Sequence, residues 1–297
     1  MFKNIKIKKR KLKSNNIKKT QSIEIKNQEG LEYLKTISDN SIDLILTDPP
    51  YIISKETGMS KHLKVVEKVK HTGDYINTED DWIKYSKTLK KPEDEIDAGK
   101  GPGWSKENWL KYGSIYGNKY AVETEFGEWD SNFTLETLEL FIKEYYKKLR
   151  KGGTCIIFFD IWKITILKDL MEKYKFKQIR FIEWIKTNPQ PRNSKINYLT
   201  NCREIALLGV KGGKPTFNSY YDNGIYKYPF PGGKSRYHPT QKSLDLFKDL
   251  IKKHSNENDI VMDTFLGSGT TAKACKDLNR SFRGCEASKE YFDKIKM

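Results

Sequence analysis

DIVMDTFLGSGTTAKAC, at residues 259–275, is the stretch whose reading decides the fold. DIVMD is a short apolar, β-branched run of the kind that fills a buried strand. Gly267 and Gly269 allow a tight turn and a close backbone approach to a ligand. Thr270 or Thr271 can cap a following helix, whose first amides favour a carboxylate or phosphate. GSGTTA also fits the loose GxGxxA spacing, and Glu286 ends the next strand, placed to accept both hydroxyls of a ribose. Read alone, the stretch is either an adenosine-type cofactor loop or a plain strand–helix turn. No GxxxxGK[ST] sequence occurs, which excludes a P-loop nucleotidase.

Outward from this unit, similar apolar runs recur at 22–25, 42–47, 154–159, 179–185, 203–210, 259–263 and 281–286. Helical patterns alternate with them near 31–38, 134–149, 163–174, 241–254, 271–279 and 287–296. That rhythm predicts an α/β domain over 21–297, a doubly wound, seven-stranded, mostly parallel sheet covered on both faces. Two segments interrupt it. Residues 52–130 show little periodicity yet hold four of the six tryptophans, which reads as an insertion too aromatic for disorder. Residues 211–237 mix Gly, Pro, Tyr and cations and read as a loop excursion suited to bases and phosphates. Residues 1–20 form a basic, flexible arm.

The formal net charge of +16 over 297 residues suggests a polyanionic partner, nucleic acid first. An AT-rich genome would give the same lysine skew. The four cysteines form no CxxC pair and have no ligand-like spacing to the four histidines, so neither a metal site nor a disulfide framework is expected. Reduced thiols fit a cytosolic protein. No apolar run reaches about 18 residues, so no membrane span is expected, and the basic N-terminus lacks the apolar core of a signal peptide.

LTDPPYIIS, at 46–54, follows the strand at 42–47. At the carboxyl end of a central strand, side chains face the crevice where open α/β sheets bind ligands. Pro49 and Pro50 stiffen the backbone, so Asp48 and the Pro49 carbonyl are preset acceptors at little entropic cost. Two acceptors and no donor suit an NH2 group, and Tyr51 adds a flat face for stacking. The competing reading is a rigid turn with an aromatic plug.

Together these stretches resemble the β-class amino-directed DNA methyltransferases that use S-adenosylmethionine. SIDLILTDPPY resembles the catalytic motif, DTFLGSGTT the cofactor loop, HPTQKSL (238–244) the family's H-P-T-Q-K-P-L segment, and EWIKTNPQPRN (183–193) its W-x-K-x-N-P element. All four stand in the β order over about residue 22 to the end. Thr264 and Ser243 replace family prolines, and Glu29 stands where an Asp is usual.

The resemblance implies a site-specific DNA methyltransferase acting on the N6 amine of a flipped-out adenine. Asp48, Pro49, Pro50 and Tyr51 would be catalytic. Asp263, Phe265, Gly267, Ser268, Gly269 and Thr270 would line the cofactor's methionine half, with Glu286 on the ribose and Glu29 toward the adenine. His238, Thr240 and Lys242 would face the cofactor, Lys242 pairing with its carboxylate. Trp184 is either a second stacking face for the base or a core aromatic. The partner would be double-stranded DNA, with room for a homodimer and a cognate restriction endonuclease, in the cytoplasm of a prokaryote or of a phage's host. Alternatives are a cytosine-N4 enzyme, a catalytically inactive DNA-binding subunit and a nicotinamide dehydrogenase. A cytosine-C5 enzyme is excluded because no proline is followed by Cys.

Overall fold

A computed structural model describes residues 21–51, 78–87, 133–189, 202–232 and 241–295, with Lys106 and Leu110 between. The chain divides into two compact units: Met1–Pro50 with Thr134–Met297, and Tyr51–Phe133. The arm at 1–20, most of the expected insertion at 52–130, and His238 and Thr240 lie outside the described residues.

The first unit is built on β1 (Ile23–Asn27), β2 (Ile42–Thr47), β3 (Leu149–Phe159), β4 (Lys177–Lys186), β5 (Arg203–Val210), β6 (Ile225–Tyr228), β7 (Ile260–Asp263) and β8 (Ser281–Glu286). They join in one sheet of order β1-β8-β7-β2-β3-β5-β4-β6. Five pairings are parallel, and β5 runs antiparallel to both β3 and β4. The doubly wound, mostly parallel architecture is as expected, but the described sheet has eight strands rather than seven.

The additional strand is β6, inside the 211–237 excursion read as loop. An Asx turn feeds it: Asp222 Oδ1 accepts from Gly224 N at 2.8 Å and Asn223 Oδ1 from Ile225 N at 3.0 Å. Four residues then pair parallel with Glu183–Lys186 of β4. A strand this short leaves too little alternation to stand out among glycines and prolines.

Between the strands run α1 (Gly30–Lys35), α3 (Leu135–Lys148), α4 (Ile164–Lys173), α5 (Leu244–His254), α6 (Thr270–Asp277) and α7 (Lys289–Lys294). Helix α3 buries Leu138, Phe141, Ile142 and Tyr145, the i, i+3, i+4, i+7 stripe of a core-facing helix. Helix α5 buries Phe247, Leu250, Ile251 and His254 with the same spacing, and Leu246 beside them. Leu44 and Leu46 of β2 and Ile156 and Phe158 of β3 share a buried cluster with α5 and α6. By strand alternation Ile45 and Ile157 turn to the other face, toward α1 and α3. Burial on both faces explains why β2 and β3 read as nearly unbroken apolar runs.

In the second unit, Glu79–Ser86 forms a helix, α2, closed by a capping box between Thr78 and Asp81. The TEDD run that caps it is legible, but α2 buries no residue, so it lacks the apolar stripe that reveals a helix in sequence.

Candidate active site

Strands β2 and β7 are parallel neighbours, Leu44 opposite Val261 and Ile45 opposite Met262. From this pair the sheet is extended toward β3 on one side and β8 on the other, making it a topological switch point, where open α/β sheets place ligands. The DPPY turn leaves the carboxyl end of β2, and the glycine loop leaves the carboxyl end of β7. Two stretches 216 residues apart therefore meet, bonded through Thr47 Oγ1, which donates to Asp263 Oδ1 at 2.7 Å.

Asp263 is the centre of the loop. Its Oδ2 accepts from Thr271 Oγ1 at 2.6 Å and its Oδ1 also from Phe265 N at 3.0 Å. At 3% exposure the carboxyl is lifted to about 6, burial outweighing these three donors, with the charge of Asp48 adding to the rise. Expected among the residues lining the methionine half, Asp263 has its acceptors directed to its own chain and shapes the loop from beneath.

Gly267 and Gly269 take φ of 53° and 76°, the left-handed region that glycine alone enters freely. A Cβ at Gly269 would also sit 2.8 Å from Ile295. Gly269 is the N-cap of α6 and brings no side-chain cap bond to its first amides. Ser268 and Thr270 hydroxyls pair at 2.9 Å, and the Phe265 ring lies 4.6 Å from Phe141. Glu286, at the end of β8, accepts from Gly267 N at 2.7 Å and Ser288 N at 2.8 Å. Burial raises its carboxyl, and those amides pull it back. It fastens the loop while a carboxylate's remaining lone-pair directions can still take ribose hydroxyls. Glu29, expected near adenine, is the N-cap of α1, accepting from Glu32 N at 2.9 Å. Its exposed carboxylate stands just past β1, the strand paired with β8.

A left-handed glycine loop, a helix N-terminus without a side-chain cap and a strand-end carboxylate fit an adenosyl amino acid, with a carboxylate for the amides and hydroxyls for Glu286.

On the catalytic side, Pro49 and Pro50 are buried and Asp48 keeps 16% of its side chain exposed. Tyr51 opens the second unit. Lys242, expected to pair with the cofactor carboxylate, is 7% exposed, with its ammonium 2.9 Å from Asp48 Oδ2 and 2.6 Å from Glu204 Oε2. Two partly exposed carboxylates therefore share its ammonium. Glu204 and Lys186, which pair at 2.6 Å, were not expected in the site; only the fold brings them there. Trp184 resolves to the core reading. It is fully buried, stacked on Phe230 at 6.4 Å, and its Nε1 donates to Tyr228 O at 2.9 Å, which leaves no face for a base.

The four cysteines are free, and three are buried. Among the described residues no cluster of His, Cys, Asp or Glu could hold a metal ion, and no helix is long and apolar enough to cross a membrane.

Residues 42–297 match the N6/N4 DNA methylase family model. Among curated proteins, the chain is 25% identical to the type II methyltransferase M.HinfI of Haemophilus influenzae over 283 residues, covering 89% of this chain but 64% of that protein. It is 30% identical to M2.DpnII of Streptococcus pneumoniae over 191 residues, covering 58% of this chain and 70% of that one. Among solved structures, the M1.HpyAVI–SAM complex superposes with a TM-score of 0.56 at 26% identity, covering 92% and 96% of the two chains. The PvuII cytosine-N4-specific methyltransferase shares the fold, with a TM-score of 0.58 at 14% identity over 92% and 84%. The DPPY turn after β2, the glycine loop after β7 and a family match over most of the sequence agree: the chain belongs to the N6/N4 DNA methylases, the S-adenosylmethionine-dependent enzymes that methylate exocyclic amines of bases.

Proposed function

We propose that this chain methylates the N6 amine of an adenine flipped out of double-stranded DNA. The observation that carries the reading is the meeting of Asp48 and the Gly267–Gly269 loop at the β2/β7 switch point, locked by Thr47 and Asp263. S-adenosylmethionine, when bound at the loop, supplies an electrophilic methyl group. Its carboxylate would meet the α6 amides, its ribose Glu286, and its adenine the side nearer Glu29.

The chain's own task is to make the amine a nucleophile. The lone pair of an exocyclic amine is delocalised into the ring. Accepting both N–H hydrogens, at Asp48 and at the Pro49 carbonyl, draws the nitrogen toward tetrahedral geometry and exposes that pair. Charge-assisted bonds of this kind contribute about 1.5–3 kcal/mol, or roughly 10–150-fold in rate, and alignment supplies much of the rest. The amine is out of reach inside a duplex, so the base must leave the stack, and Tyr51 offers it a ring to lie on. Adenine is chosen over cytosine because the motif begins with Asp, the family's habit for N6 targets.

The DNA is read as approaching the carboxyl edge of the sheet. Past the end of β3, the neighbour of β2, Asp160 caps a turn that holds Trp162 at 89% exposure. A tryptophan left in water beside the switch point suits contact with bases. The net charge of +16 supports the same partner. The relatives' names as type II methyltransferases support a cognate endonuclease, a homodimer is the further assembly to weigh, and the location would be cytoplasmic.

Mass spectrometry of nucleosides from DNA of a host expressing the chain tests the reading. N6-methyladenine is expected. N4-methylcytosine without it would overturn the choice of base, and neither product would overturn the activity.

A further inference from the structure

Four charged side chains from four separate elements form a chain of alternating sign behind the catalytic turn. Lys186 Nζ, at the end of β4, lies 2.6 Å from Glu204 Oε1, and Glu204, on β5, reaches Lys242 Nζ through Oε2 at 2.6 Å. Lys242, two residues before α5, then reaches Asp48 Oδ2 at 2.9 Å. Exposures are 17%, 16%, 7% and 16% along the series. Lys186 also lies over the rings of Trp184 and Phe230, at 5.5 and 5.3 Å, and Lys242 over Phe158 at 5.4 Å.

Burying one such ion costs several kcal/mol unless it is paired. The series sums to zero charge, so each ion has its compensation. Stability alone gives no reason for the arrangement, since an apolar cluster of equal volume is often as stable. What the ions provide is control of the Asp48 carboxylate. Without Glu204 beside Lys242, the ammonium would face Asp48 undivided, and a carboxylate claimed by a cation is a poorer acceptor for an amine. Glu204 draws that ammonium to a second carboxylate. Burial pushes the Glu204 carboxyl up, but Lys242 and Lys186 more than offset this and hold it below its ordinary value, so it remains an anion.

We infer that Glu204 is a positioning residue for the transfer step: by sharing Lys242 with Asp48, it keeps the Asp48 carboxylate fixed in place while leaving it strong enough to accept the target amine. Glu204 acts through Lys242, not on the base. The inference rests on the proposed function, because it presumes that Asp48 receives an amine.

Single-turnover methyl transfer to a duplex carrying a site found methylated in expressing cells tests it, alongside cofactor affinity by calorimetry and melting temperature. Glu204→Gln keeps the shape and removes the charge. The expected result is a rate at least tenfold lower, with cofactor affinity within threefold of wild type. Glu204→Asp, which restores the charge, should recover part of the rate. The inference is overturned if Glu204→Gln transfers within threefold of wild type, or if rate and cofactor affinity fall together. Should Glu204→Gln fail to fold, Glu204→Asp decides: a slower rate at unchanged cofactor affinity supports the role, and a wild-type rate or joint losses sink it. A wild-type chain that transfers no methyl would refute the proposed function instead, so the two failures are distinct.

Discussion

Thr47 donates its hydroxyl to Asp263 Oδ1 at 2.7 Å, so the residue before the DPPY turn is bonded to the residue that opens the glycine loop. Both are buried. The two halves of the site come from distant parts of the sequence, and this hydroxyl ties them together beyond the β2–β7 backbone pairing. Thr47→Val keeps the shape and removes the donor. Asp263 Oδ1 keeps the Phe265 amide as a donor, so the loss is that of one buried hydrogen bond, about 1 kcal/mol, and unfolding in urea should shift by that amount. Cofactor affinity and transfer rate should fall together, since the loop and the turn lose a common tether. Thr47→Ser should restore both. If Thr47→Val changed stability alone, the hydroxyl would be part of the core and no more.

Asp263 gives a pH signature of known sign. Its folded-state carboxyl, at about 6, lies above its ordinary value of 3.8. The folded chain therefore binds this proton more tightly than the unfolded chain. Its contribution to stability rises as pH falls through about 6 and levels off below about 4, the reverse of a salt-bridged carboxylate. A difference of this size amounts to about 2 kcal/mol between pH 7 and pH 4. Asp263→Asn removes the titration. Subtracting its pH–stability curve from that of wild type should leave a difference that moves in favour of wild type on acidification. A flat difference, or one of opposite slope, would mean that the carboxyl titrates normally.

The tether and the titration differ in how far sequence alone shows them. The glycine loop, DPPY and the strand rhythm were legible because each is local, fixed by residue type at short spacing. Glu204 was not. It sits in an apolar strand, REIALLGV, where a charge near the start reads as a solvent-facing end, and its partner Lys242 is 38 positions away. Trp184 was undecidable for a related reason. Strand β4 alternates weakly, so only the register against β5 and the bond to Tyr228 O reveal which face is buried. Lys242 reads in sequence as a cation for an external carboxylate, while its contacts to Asp48 and Glu204 come from segments 194 and 38 positions away and are visible only in three dimensions.

Asp48 should separate binding from chemistry. Asp48→Ala removes an acceptor from the catalytic turn but nothing from the glycine loop, Glu286 or α6. Transfer is expected to fall below detection while cofactor affinity stays within tenfold, read by calorimetry and by incorporation of labelled methyl. It also removes one of the two carboxylates that share Lys242, so the melting temperature is expected to drop modestly. Loss of cofactor binding and transfer together would make the turn scaffolding.

Trp162 tests the proposed approach of DNA to the carboxyl edge of the sheet. It lies past the end of β3 at 89% exposure, beside Ile161 at 42%, and makes no part of the buried core. A single base–aromatic contact contributes about 1–3 kcal/mol. Trp162→Ala should therefore weaken duplex binding by roughly 5- to 150-fold, with melting temperature and cofactor affinity unchanged. Because the proposed contact is with a base and not a phosphate, the slope of log affinity against log salt should stay the same. A change in that slope would place the effect on the charged groups around it. Wild-type affinity would move the duplex away from this edge of the sheet.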